Sequence, residues 1–374
     1  MKQIKYTNIF FKALVLALAV TIISSSLVSC TKCVTDGAKS SKDDLRVVGT
    51  IGGYEVCYDE YRYVVLSCRD ILKQRYGDDI WGTPENIEKY TAELEEMVSE
   101  RITANYAVLT LCDAYGYEKA LYDKKAVEYV NDQIDKAIYL CAVEAGLDVE
   151  VKQKGEDDVV YKYGFGEFKK AKELYLNALS QFYVTERIIR LTLGTEYAFS
   201  QLSGILTSDK KEIIHTAEDI EAFMNGDDFI CTRHVLIEKS DSESREETLA
   251  RANEVYELYL NGKSMDYLIG SKYNMDITMP YAGYYFTHGE MDEEYEKVAF
   301  ELAEGEVSAP VETDSGFFII QRYFKDEEYM STNLEDFAQQ IIYSLVNKKV
   351  RAHQETLTLE KNEFGASLNL HEIS

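Results

Sequence analysis

The amino-acid sequence predicts an α+β fold, in which a long helical region precedes a compact block built around short strands. Apolar residues keep a helical period for about thirty residues after Thr83-Pro84. Two apolar strands are predicted at 230–237 and 316–321, and a last amphipathic helix follows Asn333. At 374 residues, with 46% hydrophobic and 28% charged residues, the chain is long enough for two folded domains.

The formal net charge of -26 excludes one large class of partner. Nucleic-acid binding needs clustered Lys and Arg, so we expect no nucleic-acid partner. Two explanations of the acidity stay open. It serves solubility, or it favours basic, unfolded polypeptides as partners.

The N-terminus has the pattern of a targeting segment. Lys2, Lys5 and Lys12 precede an apolar stretch over 13–23 that is shorter than the about 20 residues of a membrane span. Leu27-Val28-Ser29-Cys30 is similar to a lipobox. We therefore predict a signal peptide over 1–29 and a diacylated Cys30, which would anchor the chain to the extracytoplasmic face of the cell membrane.

The N-terminal sequence leaves two alternatives to this anchor. The first is an uncleaved signal anchor. The second is a redox or metal site at Cys30-Thr31-Lys32-Cys33, but no second cysteine pair lies at zinc spacing. We expect no metal. For the remaining cysteines we expect buried free thiols, and the alternative of a disulfide in an exported protein stays open.

The elements that follow are predicted from period and capping signals. Residues 30–45 are small and polar, as in a flexible tether, and 46–226 form the N-terminal helical domain. Thr83 is an expected N-cap with Pro84 at the first helical position. The further predicted elements are a hairpin about Gly52-Gly53, a helix opening at Asp59, helices at 119–145, 167–192 and 196–206, a polar interruption over 146–166, and a short helix after Thr216.

Five motifs in the second half occur in a fixed order over about ninety residues. They are Arg233-His234-Val235-Leu236-Ile237, Gly262-Lys263-Ser264-Met265, Met291 with Tyr295, Gly305-Glu306-Val307-Ser308 with Pro310, and Thr313-Asp314-Ser315-Gly316. This set resembles a parvulin-type peptidyl-prolyl isomerase domain. The flanking segments resemble the PrsA/SurA-type extracytoplasmic foldases.

The resemblance implies an architecture. A parvulin domain over 227–326, with a small four-stranded antiparallel sheet flanked by helices, would be inserted into a discontinuous, SurA-like helical chaperone domain. Residues 327–374 would return to that domain. The apolar face of the last helix would then pack on the N-terminal helices through Leu334, Phe337, Ile341 and Leu345.

The resemblance also implies an activity, the cis/trans isomerisation of X-Pro bonds in unfolded or partly folded exported proteins. The barrier to this rotation is about 18–20 kcal/mol. Because no covalent bond breaks, neither nucleophile nor cofactor is required. An apolar pocket that grips proline stabilises the less polar twisted amide over the planar one.

The family motifs assign candidate residues to this chemistry. His234, Asp276 and Ser315 match the polar positions and would form a hydrogen-bonded floor. The residues that would contact substrate are Phe286, Met291, Tyr295 and Phe318. For the apolar set the alternative is plain core packing, and for the polar set a structural role.

Two departures from the family pattern leave the level of activity open. Phe318 replaces the second histidine, and Tyr281-Ala282-Gly283-Tyr284 replaces the usual Gly-acid-Leu-Gly. The alternatives to an active foldase are a chaperone with a degenerate parvulin domain and a cell-envelope scaffold. The sequence predicts no oligomeric state.

Overall fold

A computed structural model describes residues 45–153, 159–239 and 243–373. The chain forms two compact units, one from the segment up to Leu202 together with Val350 onward, the other from Ser203 to Lys349. The predicted signal peptide over 1–29, the lipidation residue Cys30 and the tether up to residue 44 lie outside the described residues. Within the three described ranges, no helix is both long and apolar enough to cross a membrane.

The first unit is mainly helical, with two small antiparallel sheets in the order β2-β1-β9 and β3-β4. Its strands are β1 (Val47–Ile51), β2 (Tyr54–Cys57), β3 (Val149–Gln153), β4 (Val159–Tyr163) and β9 (Glu360–Lys361). Its helices are α1 (Tyr58–Tyr76), α2 (Pro84–Ala114), α3 (Lys124–Glu144), α4 (Glu167–Ser180), most of α5 (Glu186–Gly204) and α12 (Glu363–Ser367), with short 3₁₀ turns at Asp78–Trp81 and Ala120–Tyr122.

The longest helix, α2, begins where the capping signal predicts. The Thr83 hydroxyl accepts a hydrogen bond from the amide of Asn86, and Pro84 occupies the first turn. The predicted hairpin is also present as β1 and β2. A segment distant in sequence completes this sheet, because Glu360–Lys361 pairs with β1.

Two predictions for the first unit are wrong. Residues 146–166 contain the hairpin β3–β4, in which Val151 pairs with Tyr161. The alternation of Val and Tyr there was masked by the acidic stretch between the strands. The predicted helix over 167–192 is broken after Ser180, and the next helix begins at Glu186.

The second unit contains the four-stranded antiparallel sheet that the resemblance implies, in the order β6-β5-β8-β7. Its strands are β5 (Phe229–Glu238), β6 (Tyr284–Thr287), β7 (Val311–Thr313) and β8 (Gly316–Tyr323). Its helices are α6 (Ala217–Asn225), α7 (Arg245–Leu260), α8 (Met265–Ile269), α9 (Glu293–Glu301), α10 (Glu327–Thr332) and the larger part of α11 (Leu334–Gln354), and a π turn covers Ile205–Asp209. The α+β prediction is confirmed.

Both faces of this sheet are covered. Helix α9 packs through Tyr295 and Ala299 on one face. On the other face, α7 and α8 cover one end of the central strands, while α6, α10 and α11 cover the other end. The side chains of β5 are divided between the two faces of the sheet, because successive residues of a strand point to opposite faces.

The packing predicted for the last helix is wrong in its first half. Phe337 and Ile341 are buried in one cluster with Phe229, Cys231 and Tyr285 of the sheet. Only the last turn, from Val350, belongs to the first unit. An amphipathic pattern shows that a helix has a partner but does not identify it.

Five of the expected free thiols lie in the described residues, and Cys33 lies outside them. Cys57, Cys68, Cys112, Cys141 and Cys231 are free cysteines, and all but the half-buried Cys57 are buried.

Candidate active site

The site begins with the alternation of the central strand β5. Thr232, His234 and Leu236 are two residues apart, so their side chains share the sheet face that α9 covers. His234 is only 3% exposed. The pairing register between β5 and β8 determines the neighbours of His234 on this face. His234 lies opposite Ile320, and Leu236 lies opposite Phe318 of β8.

A hydrogen-bonded chain runs through the His234 imidazole. Its Nε2 lies 3.1 Å from Oδ2 of Asp276, and its Nδ1 lies 3.0 Å from the hydroxyl of Tyr295. Tyr295 Oη is in turn 2.8 Å from Oγ1 of Thr232. Because a carboxylate only accepts, neutral His234 donates from Nε2 to Asp276. Nδ1 then accepts from Tyr295, whose oxygen accepts from Thr232.

Asp276 is held in place by the loop between α8 and β6. The buried Asn274 side chain accepts from the backbone amides of Leu236 and Asp276 and donates to the Asp276 carbonyl. Oδ1 of Asp276 accepts from both the amide and the hydroxyl of Thr278, and Oδ2 accepts from the Tyr284 hydroxyl at 2.9 Å. The carboxylate is therefore saturated with donors.

The electrostatics favour a neutral imidazole beside an ionised carboxylate. Burial lowers the pKa of His234 below its ordinary value, although the nearby Asp276 opposes that shift. For Asp276, burial raises the pKa, but the hydrogen bonds from Thr278 and Tyr284 outweigh it, and the pKa lies below its ordinary value. The charge at this site thus stays on Asp276, and His234 is uncharged near neutral pH.

The apolar candidates surround this polar chain but differ in accessibility. Phe286 and Tyr295 are each 2% exposed and belong to the core beneath α9. Phe318 is 9% exposed, and its ring stands edge-on to His234 with centroids 4.8 Å apart. Met291 and Leu236 are half-buried at the border of the same cluster. Leu236 and Met291 are therefore the more accessible apolar side chains beside His234, whereas Phe318 is buried against the imidazole.

Ser315 is the predicted site residue that the structure does not bring to His234. It lies in the exposed turn before β8, next to Gly316, which pairs with Glu238 at the end of β5. His234 pairs with Ile320 four residues further along, or about 13 Å at strand rise. The prediction that Ser315 supplies the hydroxyl of the floor is wrong, because the hydroxyls of Tyr295, Tyr284 and Thr278 take that place.

Several residues of the network were not singled out in the sequence. Thr232 could have been found from its spacing, because it lies two residues before His234 on the same face. The position of Tyr284 depends on the preceding Gly283. The φ of Gly283 is +88°, and its close approach to the carbonyl oxygen of Thr232 leaves no space for a Cβ. Asn274 carried no local signal.

The arrangement suits a reaction without covalent catalysis. A neutral imidazole, a saturated carboxylate and tyrosine hydroxyls form a fixed floor, and apolar side chains flank it. Among the residues that the structure describes, no group of His, Cys, Asp and Glu could hold a metal ion. Such a site can bind a ligand through apolar contacts and fixed hydrogen bonds without forming a covalent bond to it.

Comparison with known proteins identifies the second unit's central segment. Residues 234–323 match the rotamase family model, described as a PPIC-type PPIase domain. No curated protein matches the chain at a significant level.

Solved structures similar to the chain include PrsA from Bacillus subtilis, at 17% identity, covering 83% of this chain and 91% of that one with a TM-score of 0.25. The foldase protein PrsA from Streptococcus pneumoniae matches at 16% identity, 75% and 91% coverage and a TM-score of 0.31. Such low TM-scores carry no argument, whereas the family match and the sheet agree. Residues 234–323 are therefore a PPIC-type PPIase domain, of the parvulin type.

Proposed function

We propose that this chain is a foldase that catalyses X-Pro cis/trans isomerisation in exported proteins. The observation that carries the proposal is the partly open apolar surface of Leu236 and Met291 beside the neutral His234. It lies within the segment that matches the PPIase family model.

In this mechanism the proline ring packs on the apolar surface while the rest of the peptide turns about the X-Pro bond. The planar amide is more polar than the twisted one, so an apolar site destabilises the former relative to the latter. Each 1.36 kcal/mol of that difference gives a tenfold increase in rate. The chain from Thr232 through Tyr295 to His234 keeps the base of the site from moving.

The proposed location is the extracytoplasmic face of the cell membrane, through a lipid on Cys30. The lipobox-like Leu27-Val28-Ser29-Cys30 supports it. Mass spectrometry of the mature N-terminus should show a lipid-modified Cys30, and Cys30→Ala should release the protein from the membrane fraction. An unmodified N-terminus at another residue would contradict this location.

The refolding of a protein whose slow phase is X-Pro isomerisation tests the function. We expect the chain to accelerate that phase and Met291→Ala to lower the acceleration, because Met291 supplies part of the exposed apolar surface. Met97→Ala, a half-buried methionine of α2, is the matched control and should keep the wild-type rate. An unaccelerated slow phase would reject the isomerase.

A second candidate function is a chaperone that binds unfolded chains without isomerising them. The burial of Phe286 and Tyr295 favours it, since both were expected to contact proline and both are enclosed. Suppression of aggregation without any change in the slow refolding phase would support this function over the first.

A further inference from the structure

The first unit contains a cavity of about 200 Å³ between α1, α2 and α5. Its lining residues lie on the facing sides of these helices. Glu60, Val64 and Ser67 are on α1, and Ala104 and Asn105 are on α2. Ile188 and Thr192 complete it from α5. Sites for drug-sized molecules measure about 300–1,000 Å³, so this volume suits a single long side chain.

The cavity contains a buried carboxylate whose charge is poorly compensated. Glu60 is 3% exposed, and its Oε2 accepts from the Tyr106 hydroxyl at 2.8 Å and from Arg187 at 3.3 Å. Within the described part of the chain, Oε1 of Glu60 has no hydrogen-bond partner. One oxygen of a nine-tenths buried carboxylate is thus available to a ligand.

Arg187 is mainly committed to the neighbouring acid. Its Nε and Nη2 both bind Asp59, with distances of 2.5 to 3.0 Å, and Asp59 also accepts from Thr185. Two buried carboxylates therefore share one guanidinium. Burial raises the pKa of Glu60 despite the bonds from Tyr106 and Arg187, as expected for a carboxylate that lacks a full counterion.

The other lining residues specify the rest of the ligand. Val64, Ala104 and Ile188 provide an apolar passage toward Glu60. Arg101 also lines the cavity and is exposed, so its guanidinium can donate to the backbone carbonyls of a bound peptide. A long aliphatic stem with a cationic head, attached to a polypeptide backbone, matches all three features.

We propose that this cavity binds an arginine or lysine side chain of a polypeptide, with the cationic head on Oε1 of Glu60. The net charge of -26 would draw basic segments toward the chain and the cavity would select one residue. That the polypeptide is a folding client rests on the proposed function, whereas the choice of a basic side chain does not.

The test uses fluorescent five-residue peptides that lack proline and differ at the central residue, which is arginine, lysine or citrulline. Citrulline keeps the shape of arginine without its charge. In fluorescence anisotropy with the full chain, we expect arginine or lysine to bind about ten-fold tighter than citrulline, because a hydrogen bond between charged groups is the strongest kind. Without proline, isomerase activity does not enter the measurement.

Three variants localise the binding. Glu60→Gln should remove the preference for the charged peptides, and Ala104→Leu, which fills the cavity from an exposed position, should weaken binding of all three. Glu96→Gln changes the net charge equally on an exposed part of α2 and should bind as the wild type does.

The outcomes decide between the cavity and general acidity. Equal binding of arginine and citrulline peptides, no binding of any peptide, or equal effects of Glu60→Gln and Glu96→Gln would each overturn the proposal. If Glu60→Gln fails to fold, Ala104→Leu carries the test, and unchanged binding by that variant would overturn it as well.

Discussion

Replacing Tyr295 by Phe tests the hydrogen-bonded chain at the site. The substitution removes only the hydroxyl and keeps the ring, which stands edge-on to Phe318 at 5.2 Å. Nδ1 of His234 then loses its bond of 3.0 Å and Thr232 loses its bond of 2.8 Å. Both residues are buried, so bulk water does not supply either atom with a new hydrogen-bond partner.

The expected loss follows from these two atoms. A buried polar group left without a partner costs about 1–3 kcal/mol. The Thr232 hydroxyl can rotate toward another acceptor, so we assign most of the cost, about 2 kcal/mol, to the imidazole. At 1.36 kcal/mol per factor of ten, this corresponds to an equilibrium constant for local opening of β5 that is about 30-fold larger, and to amide exchange that is faster by the same factor.

Hydrogen–deuterium exchange of the β5 amides measures this opening within the second unit. Tyr284→Phe is the matched control, because Tyr284 is half-buried and Asp276 keeps its donors from Thr278 and His234. We expect less than about 5-fold faster exchange there, in line with a hydrogen bond worth about 1 kcal/mol or less. If the β5 amides exchanged equally fast in both variants, the hydrogen bond between Tyr295 and His234 would not have the role assigned to it.

Three further changes have defined outcomes. Phe337→Ala should cost the second unit about 3–5 kcal/mol, because the ring is buried against Phe229 and Tyr285; a wild-type melting temperature would contradict this packing. Phe318→His should raise the isomerase rate or leave it unchanged, since it restores a polar neighbour to His234; a tenfold loss in a refolding assay would show that the Phe318 ring itself grips proline. The pKa of His234 is lowered in the folded chain, so its imidazole takes up a proton more readily in the unfolded chain than in the folded one. Stability from His234 is therefore complete above about pH 6.5 and falls as the pH drops through the folded pKa, so β5 amide protection should decrease on acidification and do so less in His234→Gln.

Much of the fold was predictable because its signals are local. Thr83 and Pro84 mark the start of α2, and the apolar runs mark β5 and β8. The hydrogen bond between His234 and Asp276 was expected from the family motifs and is present. The functional roles of the candidate residues stay predictions.

The remaining features depend on contacts between segments distant in sequence. Nothing near Phe337 shows that its partner is Phe229 rather than an N-terminal helix. Likewise, spacing places Met291 and Tyr295 on one helical face, but only tertiary packing shows that Tyr295 is enclosed and donates to His234. Ser315 matched its motif, yet strand register places it at the far end of β5.

The most direct test of the central claim is the rate of cis/trans isomerisation of an X-Pro peptide with the purified chain. Because the apolar surface of Leu236 and Met291 does not depend on a second histidine, we predict a catalysed rate that is lower than that of histidine-containing parvulins but clearly above the uncatalysed one. The uncatalysed reaction takes tens of seconds or more, so even weak catalysis is measurable. A rate equal to that of the peptide alone would contradict the isomerase and leave the chaperone.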